Sequence, residues 1–349
     1  MNLEDVFHSY SNADFQNHAL TLFRFQYEQN EVYRSFCDML KINPKSITTL
    51  TQIPFLPISF FKTHQVKTGN FVAEMEFWSS GTTGGEKGEG RKEKGRRHEG
   101  TKARREEENV TSRHFIKDIG LYERAFLQSF EYFYGDPSDY CFLALLPNYL
   151  VQKHSSLIYM MNRLISGSKY TESGFYLYNY DELYEKIITL KQKKIKTVLF
   201  GVSFALLDFA YKFTFETPDL MVFETGGMKG RRPELVKEEL HQILCNAFGA
   251  KKIHSEYGMC ELLSQAYSNG ENLFLTPPWM KLLLRDEKDP LYCSETLSTG
   301  AINVIDFANI HSCAFIATDD LGKRTANGMI EILGRLDAAQ IRGCNLLYC

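Results

Sequence analysis

The chain of 349 residues can bury a large core, and its formal net charge is only −3 at pH 7. Without a global basic field, nucleic acid is not an expected partner. Residues 1–15 are polar and acidic, and no later apolar run reaches the roughly 18 residues that span a bilayer. We therefore expect a soluble, cytoplasmic protein with no membrane span.

The amino-terminal segment carries a helical pattern followed by a proline-rich stretch. Apolar and aromatic residues recur at helical spacing over residues 18–40 and predict one long amphipathic helix. Residues 43–57 contain three prolines, which disfavour a continuous helix and predict an extended crossing segment. A turn-rich loop is expected after Phe77-Trp78.

Composition changes abruptly over residues 85–110, where Lys, Arg, Glu and Gly dominate and almost nothing is apolar. Because such a segment cannot offset its ordering entropy by burial, we expect a disordered insertion. A polyanion-binding tail is the alternative, but acidic and basic residues nearly balance, which favours a solvated loop.

After the insertion, short apolar runs alternate with amphipathic runs, which predicts β-α-β units and a mainly parallel sheet. Ligands of such sheets bind where the strands end. We expect an α/β core over residues 1–300 and a small β-rich subdomain over 301–349. The predicted strands are 141–146, 197–200, 220–223, 252–255, 303–305, 314–317 and 329–333, and the predicted helices are 155–165, 181–191, 204–211 and 233–248.

The eight cysteines are scattered without C-x-x-C pairs, and several lie within apolar runs such as Tyr140-Cys141-Phe142. This spacing favours reduced thiols that mostly pack in the core, with no metal cluster.

The strongest local signal is the hexapeptide Ser79-Ser80-Gly81-Thr82-Thr83-Gly84. Its glycines let the backbone approach a phosphate chain closely, while N–H and O–H groups donate to the phosphate oxygens. It lacks the Lys-Ser/Thr pair that closes the loop of common NTPases. A flexible turn is the alternative interpretation.

Four further polar segments follow, and each is also compatible with an ordinary structural role. Glu224-Thr225-Gly226-Gly227 fits a strand-to-helix turn, and Tyr257-Gly258-Met259-Cys260-Glu261 fits a surface aromatic beside a solvated acid. Residues 318–322, Thr-Asp-Asp-Leu-Gly, favour a β-turn in any case. Residues 334–337, Gly-Arg-Leu-Asp, fit a surface ion pair.

In their types and order these segments resemble the motifs of the adenylate-forming superfamily of acyl-CoA ligases, firefly luciferase and peptide-synthetase adenylation domains. Within it the chain is most similar to the acyl-protein synthetases of bacterial bioluminescence fatty acid reductase. The similarity covers most of the chain. It extends through Ile53-Pro54-Phe55-Leu56-Pro57, Phe60-Phe61-Lys62, Ser112-Arg113-His114, Gly201-Val202-Ser203-Phe204 and Arg342-Gly343-Cys344-Asn345.

The resemblance implies the large adenylate-forming domain, with ATP and Mg²⁺ as cofactors and a carboxylic acid, by first choice a fatty acid, as substrate. Glu261 would hold Mg²⁺, Asp320 would accept from the ribose hydroxyls, and Arg335 would assist at the ribose. The chemistry of the reaction agrees with these roles. A carboxylate that attacks the α-phosphate brings two anions together, so a magnesium ion and oriented donors are needed to offset their repulsion. The other implied nucleotide contacts are Ser79, Ser80, Gly81, Thr82, Thr83 and Gly84 at the phosphates, Glu224, Thr225, Gly226 and Gly227 at the adenine, and Tyr257.

The resemblance also implies that Cys344 carries the acyl group as a thioester and passes it to an acceptor protein, a reductase or a carrier. If this segment is extended, Arg342 would lie on the same side as Cys344 and would lower the thiol pKa from about 8.5 toward neutrality. Cys349 is the competing sulfur, and simple packing of Cys344 is the structural alternative.

The sequence departs from the superfamily pattern in three places. Cys260 stands where Thr is common, the insertion leaves Lys87 only a formal candidate for the basic residue after the phosphate loop, and no room remains for the carboxy-terminal lid domain. A small-acid CoA ligase, an acyltransferase that feeds a carrier or a glycan, and a nucleotide-binding relative without turnover therefore stay open as alternatives.

Overall fold

The computed structural model describes residues 5–79, 111–147, 154–226 and 235–336. The α-helices in these ranges, numbered α1 to α8, are Asn12–Gln29, Glu31–Met39, Phe60–Thr63, Ile119–Tyr134, Ser156–Gly167, Tyr180–Gln192, Ser203–Lys212 and Lys237–Phe248. The strands, numbered β1 to β14, are Leu56–Pro57, Met75–Trp78, Arg113–Ile116, Cys141–Leu145, Gly174–Tyr176, Thr197–Val202, Met221–Thr225, Ile253–Tyr257, Ala266–Ser268, Leu273–Leu275, Met280–Arg285, Thr299–Asp306, Phe315–Arg324 and Ile330–Arg335.

Twelve of these strands form one sheet, in the order β11-β12-β13-β14-β10-β9-β8-β7-β6-β4-β5, with β1 beside β13. Strands β5, β4, β6, β7 and β8 run parallel to their neighbours. From β8 to β9 the pairing becomes antiparallel and stays so through β11, apart from the parallel contact of β1 with β13. Strands β2 and β3 form a separate antiparallel pair.

Strands β4 and β6 of the parallel half are buried on both faces, which explains why their sequences are mostly apolar without alternation. Every residue of β4 and of β6 is buried. Parallel strands are joined by crossover helices that cover the sheet faces, so successive side chains on either face meet packed apolar groups. None of the helices in the described residues has the length and apolar character needed to cross a membrane.

The predicted α/β class is confirmed. The strands predicted at 141–146, 197–200, 220–223 and 252–255 are β4, β6, β7 and β8, and the helices predicted at 155–165, 181–191 and 204–211 are α5, α6 and α7. Helix α8 matches the described part of the helix predicted at 233–248. The strand-like runs after residue 300 are β12 to β14, and they join the same sheet. A separate subdomain over 301–349 stays a prediction.

The single long helix predicted over residues 18–40 is wrong, because the chain forms α1 and α2 with a break at Asn30. The backbone of Asn30 is extended, with φ −115° and ψ 106°. The Asn30 side chain accepts from Tyr33 N at 3.0 Å and donates to Ser312 O at 2.9 Å. Asn is a preferred amino-terminal cap, and its second bond fixes the break against a distant segment.

Two other predictions concern the segments on either side of α3. The extended segment predicted at 43–57 contains 3-10 turns at Pro44–Ser46 and Leu50–Gln52 and ends in β1. The insertion predicted at 85–110 lies outside the described residues.

A buried amide joins α1 to the connection between β12 and β13. Gln26 Nε2 donates to Asn309 O at 3.0 Å and to Ile310 O at 3.1 Å, and Gln26 Oε1 accepts from Ala314 N at 2.9 Å. Buried backbone groups need such partners, since an unpaired one costs as much as a lost hydrogen bond. The amide therefore attaches the amino-terminal helix to the antiparallel half of the sheet.

We predict that Gln26→Ala lowers the free energy of unfolding by about 2–4 kcal/mol, because Ala314 N and Ile310 O lose this buried hydrogen-bond partner. Urea unfolding measures the change. Gln29→Ala, at an exposed position of the same helix, serves as the control and is expected to change stability by about 0.5 kcal/mol or less. Equal small changes in both variants would show that this amide does not anchor α1.

Candidate active site

The carboxyl ends of the parallel strands β6, β7 and β8 bring polar residues to one edge of the sheet. Glu224 and Thr225 end β7, Tyr257 ends β8, and Ser203 follows β6 directly. Glu224 pairs with Gly201 of β6, and Thr225 pairs with Glu256 of β8. Because ligands of open α/β sheets bind at the carboxyl ends of the strands, this edge is the candidate location of the active site.

The Glu224 carboxylate is buried, and groups from neighbouring elements surround it. Its Oε1 lies 2.9 Å from Lys237 Nζ of α8 and accepts from Ser255 Oγ at 2.7 Å. Its Oε2 accepts from Ser203 Oγ at 3.1 Å. Burial alone would raise the pKa of Glu224, but Lys237 and hydrogen bonds from His241 and Ser255 outweigh it and lower the pKa to about 2. Glu224 is therefore an anion that ties α8 and three strand ends together.

The turn after β7 begins with Gly226 at φ +71°, in the left-handed region that favours glycine. Its carbonyl accepts from Ser203 Oγ at 2.8 Å, so the same hydroxyl contacts both Glu224 and the turn. The predicted adenine-pocket residues Glu224, Thr225 and Gly226 are thus held at the end of β7, while Gly227 lies outside the described residues.

Glu256 is a second buried carboxyl at this edge, and the sequence motifs did not include it. Its Oε2 accepts from Thr225 Oγ1 at 2.5 Å. Burial raises the pKa of Glu256 to about 7; the Thr225 hydrogen bond opposes this shift and the charge of Glu224 adds to it. A Cβ at position 258 would lie 2.2 Å from Glu256 Oε1, which explains the need for Gly258 there. An acid within an otherwise buried strand was the available sequence signal.

Tyr257, Asp320 and Arg335 are brought together, although 78 positions separate the first from the last. Tyr257 OH donates to Asp320 Oδ2 at 2.8 Å, and Arg335 Nε lies 3.7 Å from Asp320 Oδ1. Asp320 and Arg335 are direct partners in the β13–β14 pairing. Burial raises the pKa of Asp320, while the Tyr257 hydrogen bond and the Arg335 charge oppose the shift.

The turn after β8 buries both Cys260 and Glu261. Burial, together with the adjacent Glu261 carboxylate, raises the pKa of the Cys260 thiol. His114 Nδ1 donates to Cys260 O at 2.7 Å, and burial lowers the pKa of His114 to about 4, so its ring is neutral. Asn309 Nδ2 donates to Glu261 O at 2.8 Å. The backbone of the turn is therefore fixed from two sides.

Glu261 offers a single carboxylate as a possible metal ligand. Within the described ranges no group of three or more His, Cys, Asp or Glu side chains could hold a metal ion. Mg²⁺ in nucleotide sites takes one or two carboxylates together with phosphate oxygens and waters. A single carboxylate at Glu261 fits that pattern.

The β2–β3 pair leads to the predicted phosphate loop. Ser79 N donates to Ser112 O at 3.0 Å, and Ser112 N donates to Ser79 Oγ at 2.9 Å. His114, two residues beyond Ser112, contacts the turn at Cys260. Ser79 is therefore linked, through Ser112 and His114, to the turn that carries Glu261. The predicted site residues outside the described ranges are Ser80, Gly81, Thr82, Thr83, Gly84, Gly227 and Cys344, as are Lys87, Asp337 and Cys349.

Residues 7–112 match the acyl-protein synthetase family LuxE. The match includes α1, α2, the segment that ends in β1, and both residues of the Ser79–Ser112 pair. The resemblance to acyl-protein synthetases is thereby confirmed over this part of the chain. The search of curated proteins found no match.

Several solved structures resemble the chain at low identity. ATP-bound MatB from Rhodopseudomonas palustris is 16% identical and covers 86% of this chain and 52% of its own, with a TM-score of 0.48. O-succinylbenzoate coenzyme A synthetase (MenE) from Bacillus subtilis, in complex with ATP and magnesium ion, is 15% identical. The match covers 75% of this chain and 50% of MenE, with a TM-score of 0.47. Coronafacic acid ligase from Pectobacterium brasiliense is 18% identical, and the match covers 58% of this chain and 40% of the ligase, with a TM-score of 0.40.

The chain thus spans about half the length of these proteins or less.

We predict that Glu256→Gln stabilises the protein at alkaline pH relative to acidic pH. Since the pKa of Glu256 is raised from 4.5 to about 7, its stabilising protonated form is complete below pH 4.5 and is lost as the pH rises through 7. As the pH rises from about 5 to about 8.5, the free energy of unfolding of the variant, measured with urea, should increase by about 2–3 kcal/mol relative to that of the wild type. Glu271→Gln, at an exposed position, should show no such gain. Parallel pH profiles for the wild type and Glu256→Gln would contradict a titrating Glu256.

Proposed function

We propose that this protein activates a carboxylic acid with ATP and transfers the acyl group to a thiol. The match of residues 7–112 to the LuxE family carries the proposal. An oxygen of the acid's carboxylate attacks the α-phosphorus of ATP, the bond to the bridging oxygen breaks, and pyrophosphate leaves with the electron pair. A thiolate then attacks the acyl carbon, and AMP leaves with the electron pair of the broken C–O bond.

The geometry of the Asp320 carboxylate supports a role at the ribose. Its Oδ2 is occupied by Tyr257 OH, whereas Arg335 Nε lies 3.7 Å from Oδ1. That separation is too long for a hydrogen bond, so Oδ1 keeps acceptor capacity for a hydroxyl donor. Arg335 would then steady the anion from the other side, and Tyr257 would fix its orientation.

The turn that carries Glu261 supports a role at the phosphates. Magnesium, when bound, reduces the repulsion between the two reacting anions. Glu261 would hold it, because His114 and Asn309 fix the backbone on either side of this residue. The thiol of Cys260 would replace a hydroxyl donor and bind phosphate more weakly. Residues 79–84 would cradle the phosphate chain, and Glu224 to Gly227 would line the adenine.

A fatty acid is the proposed substrate, and a reductase or carrier protein is the proposed acceptor, both by resemblance. ATP–pyrophosphate exchange tests the proposal across carboxylic acids that range from acetate to long-chain fatty acids. Strong exchange with one class of acid identifies the substrate. ATP binding without exchange by any acid would instead favour a nucleotide-binding relative that lacks turnover.

We predict that Glu261→Gln lowers acid-dependent pyrophosphate exchange by about 100-fold or more, since it removes the anionic oxygen proposed for Mg²⁺. The change is isosteric, so the thermal unfolding temperature should stay near that of the wild type. Glu238→Gln, on the exposed side of α8, is the control and should retain full exchange. Near wild-type exchange in Glu261→Gln at ordinary magnesium would remove Glu261 from the site.

We predict that Cys344→Ala keeps pyrophosphate exchange within about threefold of wild type but abolishes the hydroxylamine-sensitive acyl adduct, because adenylation precedes and does not need the thiol. Mass spectrometry after incubation with MgATP and the acid measures the adduct. Cys349→Ala is the matched control and should retain it. An adduct that survives in Cys344→Ala and disappears in Cys349→Ala would assign the other sulfur, and an adduct in both would refute self-acylation at these cysteines.

A further inference from the structure

A bulge interrupts the pairing of β12 with β13 next to the candidate site. Ala301 pairs with Leu321 and Asn303 pairs with Ala317. Between these pairs Ile302 of β12 faces three residues of β13, at positions 318–320. Asp320 is the last of the three. A bulge bends its strand, removes ladder hydrogen bonds and redirects side chains, and such features are frequent beside active sites.

Arg285, at the end of β11, fills the gap that the bulge leaves. Its Nη2 donates to Thr318 O at 2.5 Å, and its Nη1 donates to Ile302 O at 2.8 Å and to Asn303 Oδ1 at 2.9 Å. The side chain is buried, with 7% of the residue exposed. The planar guanidinium therefore donates to carbonyl groups of both strands at the bulge.

Further contacts continue from Arg285 to the carboxylate. Thr318 Oγ1 donates to Ile302 O at 2.9 Å and accepts from Asp320 N at 3.3 Å. The Asp320 side chain then accepts from Tyr257 OH at 2.8 Å. The backbone that presents Asp320 is thus held from within the sheet by Arg285 and Thr318.

We propose that Arg285 is a positioning residue that holds the bulge in the shape that presents the Asp320 carboxylate to the ribose hydroxyls of the nucleotide. The inference rests on the proposed function and adds to it a residue that belongs to none of the sequence motifs. Arg285 itself does not touch the nucleotide; it acts through Thr318 and Asp320.

The contacts require an arginine in particular. A methionine fills similar volume but removes the guanidinium donors from the carbonyls of Ile302 and Thr318, so that Ile302 O keeps only the Thr318 hydroxyl among these donors. A lysine keeps the charge, but its ammonium is a point donor and does not span acceptors on both strands as a planar fork does. A role only in stability would weaken the fold without changing how the site distinguishes one sugar from another.

The test compares KM for ATP with KM for 2′,3′-dideoxy-ATP in acid-dependent pyrophosphate exchange. In the wild type we expect the dideoxy nucleotide to raise KM by about tenfold or more, because two hydroxyl donors to a carboxylate are lost. In Arg285→Met this ratio should fall to about 1, mainly through a higher KM for ATP, and Arg285→Lys should lie between. Arg24→Met is the control; Arg24 Nη2 donates to Ile47 O at 3.3 Å, away from the bulge, and this variant should keep the wild-type ratio.

Each other outcome overturns the inference in a distinguishable way. A folded Arg285→Met that keeps the wild-type ratio refutes the positioning role while the proposed activity stands. A wild type that exchanges but does not distinguish the two nucleotides removes Asp320 from the ribose. A wild type without any acid-dependent exchange refutes the proposed function and the inference with it. If neither Arg285 variant folds, Arg285 serves the stability of the sheet, and the positioning role is refuted.

Discussion

Burial of carboxyl groups at one edge of the sheet is the constraint around which this site is built. A buried carboxylate is unfavourable unless a cation, hydrogen bonds or a proton compensates it. Glu224 receives Lys237 and becomes a permanent anion, whereas Glu256 receives a hydroxyl and retains its proton to about pH 7. Asp320 receives Tyr257. The partner of each carboxyl group belongs to a different helix or strand. The contacts that compensate the carboxyl groups therefore also hold these elements together around the edge.

The two glutamates illustrate how position on the pleat separates their chemistry. Glu224 and Ser255 pair across β7 and β8, and Thr225 pairs with Glu256 one step further. Because successive side chains point to opposite faces, Glu224 forms an ion pair with Lys237 of α8, while Glu256 accepts a hydrogen bond from Thr225. The charge on Glu224 then adds to the raised pKa of its neighbour. At pH 7 Glu256 is about half protonated, so the two glutamates together carry about one and a half negative charges where two would be expected.

The sequence was informative where structure is local. Unbroken apolar runs identified β4 and β6, since strands buried on both faces show no alternation. Predictions from the sequence failed where contacts between distant residues determine the local structure. The break at Asn30 depends on Ser312, far along the chain, and the bulge that recruits Arg285 is a property of strand register, which composition does not encode. The family resemblance predicted a role for Asp320, but neither Glu256 nor Arg285 belongs to a motif, and the side-chain contacts of each lie on neighbouring strands.

The hydrogen bond between Tyr257 and Asp320 shows that the two halves of the sheet are not independent. Strand β13 lies four places from β8 in the sheet order. In a flat sheet, spacings of about 4.8 Å would separate these strands by roughly 19 Å, far beyond the reach of a tyrosine and an aspartate side chain. A contact of 2.8 Å therefore requires the sheet to curl, so that the antiparallel half returns toward the carboxyl ends of the parallel strands. The short strands β9 and β10 lie within this curl, and the bulge held by Arg285 sets the depth at which Asp320 meets Tyr257. The carboxylate that we propose as the ribose acceptor thus lies in one half of the sheet and accepts a hydrogen bond from the other half.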